Sequence, residues 1–322
     1  MDGNTFYFWF EPRFMEWLQQ TFGEVGGLLA RFFTMFGEEL ILIAILGFIY
    51  WCWDKEYGKI IGVNIVTGIC SSILLKNVVL RKRPYMVHEN IECLKPIDNT
   101  ADASDISAQG YSFPSTHATN SACVYTTLPF MFRHKIFKIL AVILPLIVGL
   151  SRMMLGMHYP TDVLAGWFLG AVAGIGLTIL QKRLKRRWIL YLIIFLISAA
   201  GIFYCRTEDY FTSLGIMTGL FLSMPFEKSF VDFKNTRNPL FCIMRIAGGF
   251  IVYLSLNLLL KLSFSDSFLH SGSMLSFLIR SLRYAVITFV AIGVYPMLFG
   301  PFENKLRALW KRRTSNAQSK HS

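Results

Sequence analysis

Apolar runs of roughly 15 to 26 residues, separated by short polar connections, recur along almost the whole chain, each long enough for a helix to cross about 30 Å of hydrocarbon. A bilayer core offers no water to satisfy open backbone groups, so these runs predict helices. Nine fall at about 39–53, 58–80, 114–132, 136–154, 160–181, 188–205, 211–226, 240–262 and 274–299. Residues 4–36 read differently. There Phe6, Phe8, Trp9, Phe10, Phe14, Met15, Trp17 and Phe22 alternate with Glu11, Arg13, Glu16 and Glu24, too polar to span, which predicts an amphipathic helix lying on the membrane. The expected protein is all-α and polytopic, with about nine transmembrane helices. It divides into an interfacial segment at 1–37, a six-helix membrane core at 38–206, three additional helices at 207–300 and a basic tail at 301–322.

Composition agrees: 54% of the 322 residues are hydrophobic and 16% charged, with a mean hydropathy of +0.47, above the range of soluble domains. The net charge of +12 does not point to nucleic acid, because the bases lie in short connections and the tail rather than in a stripe with interleaved aromatics. Arg133, His134, Lys135 and Lys138, the run at 182–187, Lys228, Lys234 and Arg237, and the tail bases Lys305, Arg307, Lys311, Arg312 and Arg313 all fall on one side of the membrane. By the positive-inside rule that side is cytoplasmic, which places the C-terminus inside and the N-terminus outside. It also leaves the loop 81–113 and the junction 155–160 outside. Arg81, Lys82 and Arg83 break the rule, and phosphate binding is a natural cause for three bases on the wrong side. The first residues lack the pattern of a cleaved signal peptide, so the first span is expected to direct insertion. Of six cysteines only Cys93 stands in a polar loop, and neither a disulfide framework nor a metal spacing follows.

Three segments at the outer ends of spans carry the chemistry: Lys76–Pro84, reading K-x6-RP; Pro114–His117, reading PSTH; and Ser151–Asp162, reading SR-x5-H-x3-D. His158 and Asp162 are four apart. If Pro160 opens the next helix, Asp162 lies in its first turn and can turn back to the imidazole, leaving the other ring nitrogen as nucleophile or base. Taken alone, the pair also fits a histidine capped by a nearby acid. Lys76, Arg83 and Arg152 fit either snorkelling side chains or a shared anion, and their coincidence with histidines favours the anion. A phosphoryl group in transfer spreads charge over three oxygens and needs several donors around it. Pro114 suits a helix first turn, after which the amides of Ser115, Thr116 and His117 would form an anion site.

These segments, their order and their places resemble the type 2 phosphatidic acid phosphatase superfamily, with every signature position present except Thr116, where the common pattern has glycine. The PSTH form is similar to that of sphingosine-1-phosphate phosphatases, and the nine-span layout resembles glucose-6-phosphatase. The resemblance implies that His158 attacks phosphorus to form a phosphohistidine, that Asp162 orients it and that His117 protonates the leaving group. It implies that Lys76, Arg83, Ser115, Thr116 and Arg152 hold the phosphate, with no metal or cofactor. Membrane lipids surround the protein, and a phosphorylated lipid is the expected partner. A sugar phosphate is the second enzymatic reading. A transporter is the reading from another class, suggested by nine spans, by Arg245, Arg280 and Arg283 inside the last two spans, and by Gly166, Gly170, Gly174 and Gly176 in one helix. Those arginines could line a cavity beside the core or pair between helices. His88, His134, His270 and His321 lack partners at useful spacing and read as surface histidines.

Overall fold

Each of the nine apolar runs is helical in the computed structural model, which describes residues 3–98, 100–306 and 308. The helices are α1 (Phe10–Thr34), α2 (Glu39–Phe48, extended by Ile49–Trp53), α3 (Lys55–Val79), α4 (Thr116–Met131) and α5 (Lys135–Met154). They continue with α6 (Pro160–Ala171, running on to Arg183), α7 (Arg187–Ala199), α8 (Glu208–Phe226), α9 (Pro239–Leu262) and α10 (Met274–Phe289). No strand occurs among the described residues; Asn4 and Arg81 form an isolated bridge. The protein is an all-α, multi-pass membrane protein. Five helical stretches, Lys55–Val79, Lys135–Met154, Pro160–Arg183, Pro239–Leu262 and Met274–Leu306, are long and apolar enough to cross a bilayer. The pair Phe10–Gly37 and Glu39–Trp53, bent by 42° at its break, makes a sixth if it counts as one span. The other runs are helical without meeting both measures. In α4 the reason is visible: Thr119, Asn120, Ser121 and Thr127 are buried, so this helix is coated by protein and needs no apolar surface of its own.

The chain forms two compact units, one from residues up to Leu46 with Ile60–Leu214, the other from Gly47–Lys59 with the described residues from Gly215 onward. These units cross the sequence boundaries expected at 37/38 and 206/207. Of the basic tail expected at 301–322, residues 307 and 309–322 lie outside the described residues.

In the first unit α4 packs against α5 and α6. A Cβ on Gly166, Gly170 or Gly174 would stand 2.6, 2.3 or 2.5 Å from the backbone oxygens of Ser115, Thr119 and Cys123. Glycines at this four-residue spacing let two helix backbones touch, as is usual where lipid supplies no hydrophobic drive between helices. They are packing residues, which removes their support for a transporter. Asn64 adds polar glue: its amide donates to Thr127 (3.1 Å), Thr178 (2.8 Å) and the Gly174 carbonyl (3.3 Å) and accepts from Gln181 (2.8 Å). Helix α1 packs along α5, burying Glu11, Met15, Leu18, Ala30 and Thr34 while Trp9, Trp17 and Phe22 stay exposed. The chain turns at Gly23, whose φ of 49° suits glycine.

In the second unit the buried Glu227 pairs with Lys55 (3.0 Å) and Lys59 (3.2 Å). Arg245 pairs with Glu303 (2.7 Å) and donates to the carbonyls of Trp51 and Lys234 (2.5 and 3.0 Å), beside a cavity of about 360 Å³ that Phe241, Tyr295 and Phe299 also line. Of the two sequence readings for this arginine, both hold within this unit: it is paired between segments and it borders a cavity.

Candidate active site

Asp162 and His158 reach the same place by a short route. The last turn of α5 carries Arg152, five residues then turn the chain, and Pro160 opens α6 at its first position. Asp162, in the first turn, accepts the Tyr159 amide at 2.8 Å, which holds the chain entering the helix. The turn depends on Gly156, with φ of 76° and an ideal Cβ only 2.2 Å from the Glu92 carbonyl oxygen. Gly156→Ala would therefore combine a strained φ with a backbone clash. We expect it to destabilise the protein by on the order of 2–3 kcal/mol and to lower phosphate release per folded molecule. A thermal midpoint and specific rate equal to those of the parent would refute that account of the turn.

The His158 imidazole is 2% exposed. Burial, then the charges of Arg83, Arg152 and Lys76, hold its pKa well below the usual histidine range, so the ring is neutral at physiological pH. Its Nδ1 lies 3.7 Å from Asp162 Oδ2, beyond a direct hydrogen bond. Ser112 stands between them: its hydroxyl donates to Asp162 Oδ2 in a short contact and lies 3.5 Å from His158 Nδ1. On the other edge of the ring, Nε2 is 3.4 Å from Arg83 Nη1. Arg83 is itself buried and aimed by carbonyls, donating to Gln109 (2.9 Å), Gly110 (3.1 Å) and Met157 (3.0 Å). Burial lowers its pKa from the ordinary guanidinium value.

The remaining expected residues surround this pair. Arg152, 2% exposed, donates to Thr34 Oγ1 at 3.1 Å, and among the described residues its Nε has no partner. Lys76, half-buried at the end of α3, donates to the Tyr111 carbonyl at 2.8 Å. Among the described residues none of Lys76, Arg83 and Arg152 is in an ion pair with a carboxylate. His117, half-buried near the start of α4, is close enough to His158 for their charges to interact. Pro114 does not open that helix. Ser115 is the N-cap, its hydroxyl accepting the Ala118 amide at 3.4 Å, and its own amide donates to the Asp162 carbonyl at 3.0 Å, so that amide is committed to the protein. Thr116 is the first helical residue with ordinary φ, its hydroxyl 3.2 Å from that of Ser72; a β-branched side chain is therefore accommodated where the common pattern has glycine.

One base from the loop does something other than expected. Every hydrogen-bonding nitrogen of Arg81 is taken by protein: Nε donates to the Phe6 carbonyl (2.9 Å), Nη1 to Thr161 (2.7 Å) and Asp162 Oδ1 (2.6 Å), and Nη2 to Glu11 (2.9 Å). It holds a carboxylate pair rather than a phosphate. Glu11, Arg81, Ser112 and Thr34 are the site neighbours that sequence reasoning missed. Only Arg81 left a signal, as a base on the wrong side of the membrane. Nor is His88 a bare surface histidine, since it packs edge-on to Tyr7 with ring centroids 4.5 Å apart.

The PAP2 superfamily profile matches residues 56–186, and one described as PAP2 superfamily phosphatase, transmembrane extension, matches residues 211–306. Together with the helical fold they define a multi-pass membrane protein of the PAP2 class. Over 149 residues the chain is 31% identical to a decaprenylphosphoryl-5-phosphoribose phosphatase of Mycobacterium tuberculosis, covering 45% of this chain and 75% of that protein. It is 39% identical over 85 residues to phosphatidylglycerophosphatase B of Bacillus subtilis (24% of this chain, 42% of that protein). It is 30% identical over 113 residues to an undecaprenyl-diphosphatase of the same organism (35% and 52%). The chain thus spans about half the length of the two Bacillus relatives. No solved structure matches it. The chain belongs to the PAP2 superfamily.

Proposed function

We propose that the protein hydrolyses the phosphate of a lipid phosphate monoester or diphosphate through a phosphohistidine. The observation that carries this is the gathering of Lys76, Arg83 and Arg152, with no carboxylate in an ion pair with them among the described residues, about a buried neutral imidazole. Such a cluster has a large unmet demand for a multiply charged anion, and a phosphoryl group meets it with three oxygens. With the His158 proton on Nδ1, towards Ser112 and Asp162, the Nε2 lone pair attacks phosphorus. The N–P bond forms as the ester P–O bond breaks, and protonated His117 gives its proton to the leaving oxygen. Neutral His117 then takes a proton from water, whose oxygen attacks phosphorus, breaking the N–P bond and releasing inorganic phosphate. Ser115 and the Thr116 amide join the three cations around the phosphate.

The relatives named above act, by their names, on a phosphatidylglycerophosphate, an undecaprenyl diphosphate and a decaprenylphosphoryl-5-phosphoribose, each a phosphorylated compound that carries a lipid chain. That supports a lipid over a soluble sugar phosphate. The positive-inside asymmetry supports a site on the extracytoplasmic face.

The test is phosphate release from detergent-solubilised protein in excess EDTA, over phosphatidic acid, phosphatidylglycerophosphate, undecaprenyl diphosphate and glucose 6-phosphate. Turnover of at least one lipid phosphate at rates unaffected by EDTA is expected. Release confined to glucose 6-phosphate would overturn the lipid reading, and activity lost with EDTA and restored by a divalent cation would overturn the mechanism.

A further inference from the structure

Asp162 is held from two directions. Its Oδ2 faces His158 and Ser112, and its Oδ1 is gripped by Arg81 at 2.6 Å. Arg81 is gripped in turn by Glu11, a residue from the N-terminal segment, with Nη2 to Oε2 at 2.9 Å. All three side chains are fully buried. Glu11 is fixed in place by the Phe8 amide (2.8 Å) on Oε2 and by the Thr161 amide (2.9 Å) and hydroxyl (2.6 Å) on Oε1. The residues before α1 complete the enclosure. Asn4 exchanges backbone bonds with Leu80 and Lys82 (2.7 and 2.8 Å), and the Arg81 guanidinium lies between the rings of Phe6 (4.5 Å) and Tyr159 (4.0 Å). Leu80, with φ of 55°, turns the chain out of α3 just before Arg81.

This arrangement differs from that of the phosphate-facing cations. All three nitrogens of Arg81 bond to protein and two aromatic rings pack on its guanidinium, so its charge is directed to the two carboxylates it holds. A guanidinium fork with two fixed acceptors has its plane determined, and it passes that constraint to whatever it holds.

We propose that Glu11 and Arg81 are positioning residues for the phosphatase reaction: Glu11 sets the plane of Arg81, and Arg81 pins Asp162 Oδ1 so that Oδ2 stays turned to the His158 imidazole. The N-terminal segment, which precedes the superfamily match at residue 56, is then part of the catalytic apparatus. The proposal rests on the reading of His158 as nucleophile.

The experiment uses the full-length chain in detergent, with a short-chain phosphatidic acid as probe and the folded fraction measured by thermal unfolding. The variants are Glu11→Gln, Arg81→Lys and Arg81→Gln, with His158→Ala and Asp162→Asn as references. Glu11→Gln keeps size and one acceptor but loses the charge that holds the fork. It is expected to lower kcat per folded molecule by on the order of 10- to 100-fold while KM stays within about twofold, the pattern of a misaligned reacting group. Arg81→Lys keeps charge without the fork and should retain more kcat than Arg81→Gln. If the Arg81 variants do not fold, Glu11→Gln decides alone. A Glu11→Gln enzyme with unchanged kcat, or one whose loss is wholly a loss of folded protein, overturns the proposal while leaving the nucleophile reading intact. Full activity in His158→Ala would instead remove the reading beneath it.

Discussion

His158→Ala is expected to lower phosphate release by about 10⁴-fold or more, with the folded fraction unchanged. On the proposed mechanism the substitution removes the covalent nucleophile and with it the two-step route, leaving the rate at which the cationic pocket helps water attack directly. The structure makes the imidazole suited to this role on physical grounds. Burial and three neighbouring positive charges keep it neutral, so its lone pair is available without waiting for deprotonation. Nδ1 is turned to Ser112 and Asp162, and Nε2 to Arg83. Acid- and base-quenched turnover of a ³²P-labelled lipid phosphate gives a second measure. The parent should show a protein-bound label that is lost in acid and stable in base, absent from His158→Ala. An acid-stable label, or one persisting in His158→Ala, would assign the nucleophile elsewhere.

Arg152→Met is expected to act in opposite directions on activity and stability. Arg152 is almost wholly buried, and among the described residues its Nε lacks a partner while its side chain donates to a neutral hydroxyl, that of Thr34. Such a charge is costly to fold around unless an anion arrives. Methionine fills similar space without the charge, so the free protein should gain on the order of 1 kcal/mol or more, read as a raised thermal midpoint. Phosphate release should fall by on the order of 10²–10³-fold, because a donor to the transferring oxygens is gone. Orthovanadate should raise the midpoint of the parent by several degrees and that of the variant much less, since only binding to the folded state shifts the equilibrium. A variant that is destabilised and still fully vanadate-responsive would show Arg152 to be a structural residue.

Much of this site was legible because its chemistry is local in sequence. His158, Pro160 and Asp162 sit within one turn of chain, and a proline followed by an acid two residues later reads directly as a helix start with a carboxylate turned back. Lys76, Arg83 and Arg152 were legible as cations that a membrane end seldom carries without a reason. Three readings went otherwise. The glycines at 166, 170 and 174 were offered in support of a transporter, whereas they let α6 touch α4. Glu11 was counted among the residues that make the N-terminal segment too polar to span, and it is in fact buried against Arg81. Arg81 was read with Lys82 and Arg83 as a base drawn to phosphate, because a base records its charge in the sequence but not which acid it meets.

Hydropathy, length and spacing were enough to establish a helical membrane protein with a histidine–aspartate pair and cations at the ends of its helices. Those properties depend on single segments and their immediate neighbours. Tertiary structure alone decided which carboxylate each cation serves. Glu11 meets Thr161 across 150 residues and Arg81 meets Asp162 across 81, and no periodicity encodes such distances. Charge is a property of a residue, but compensation is a property of a pair. Only folding gave Arg81 two carboxylates to hold and left Arg152 outside any ion pair among the described residues.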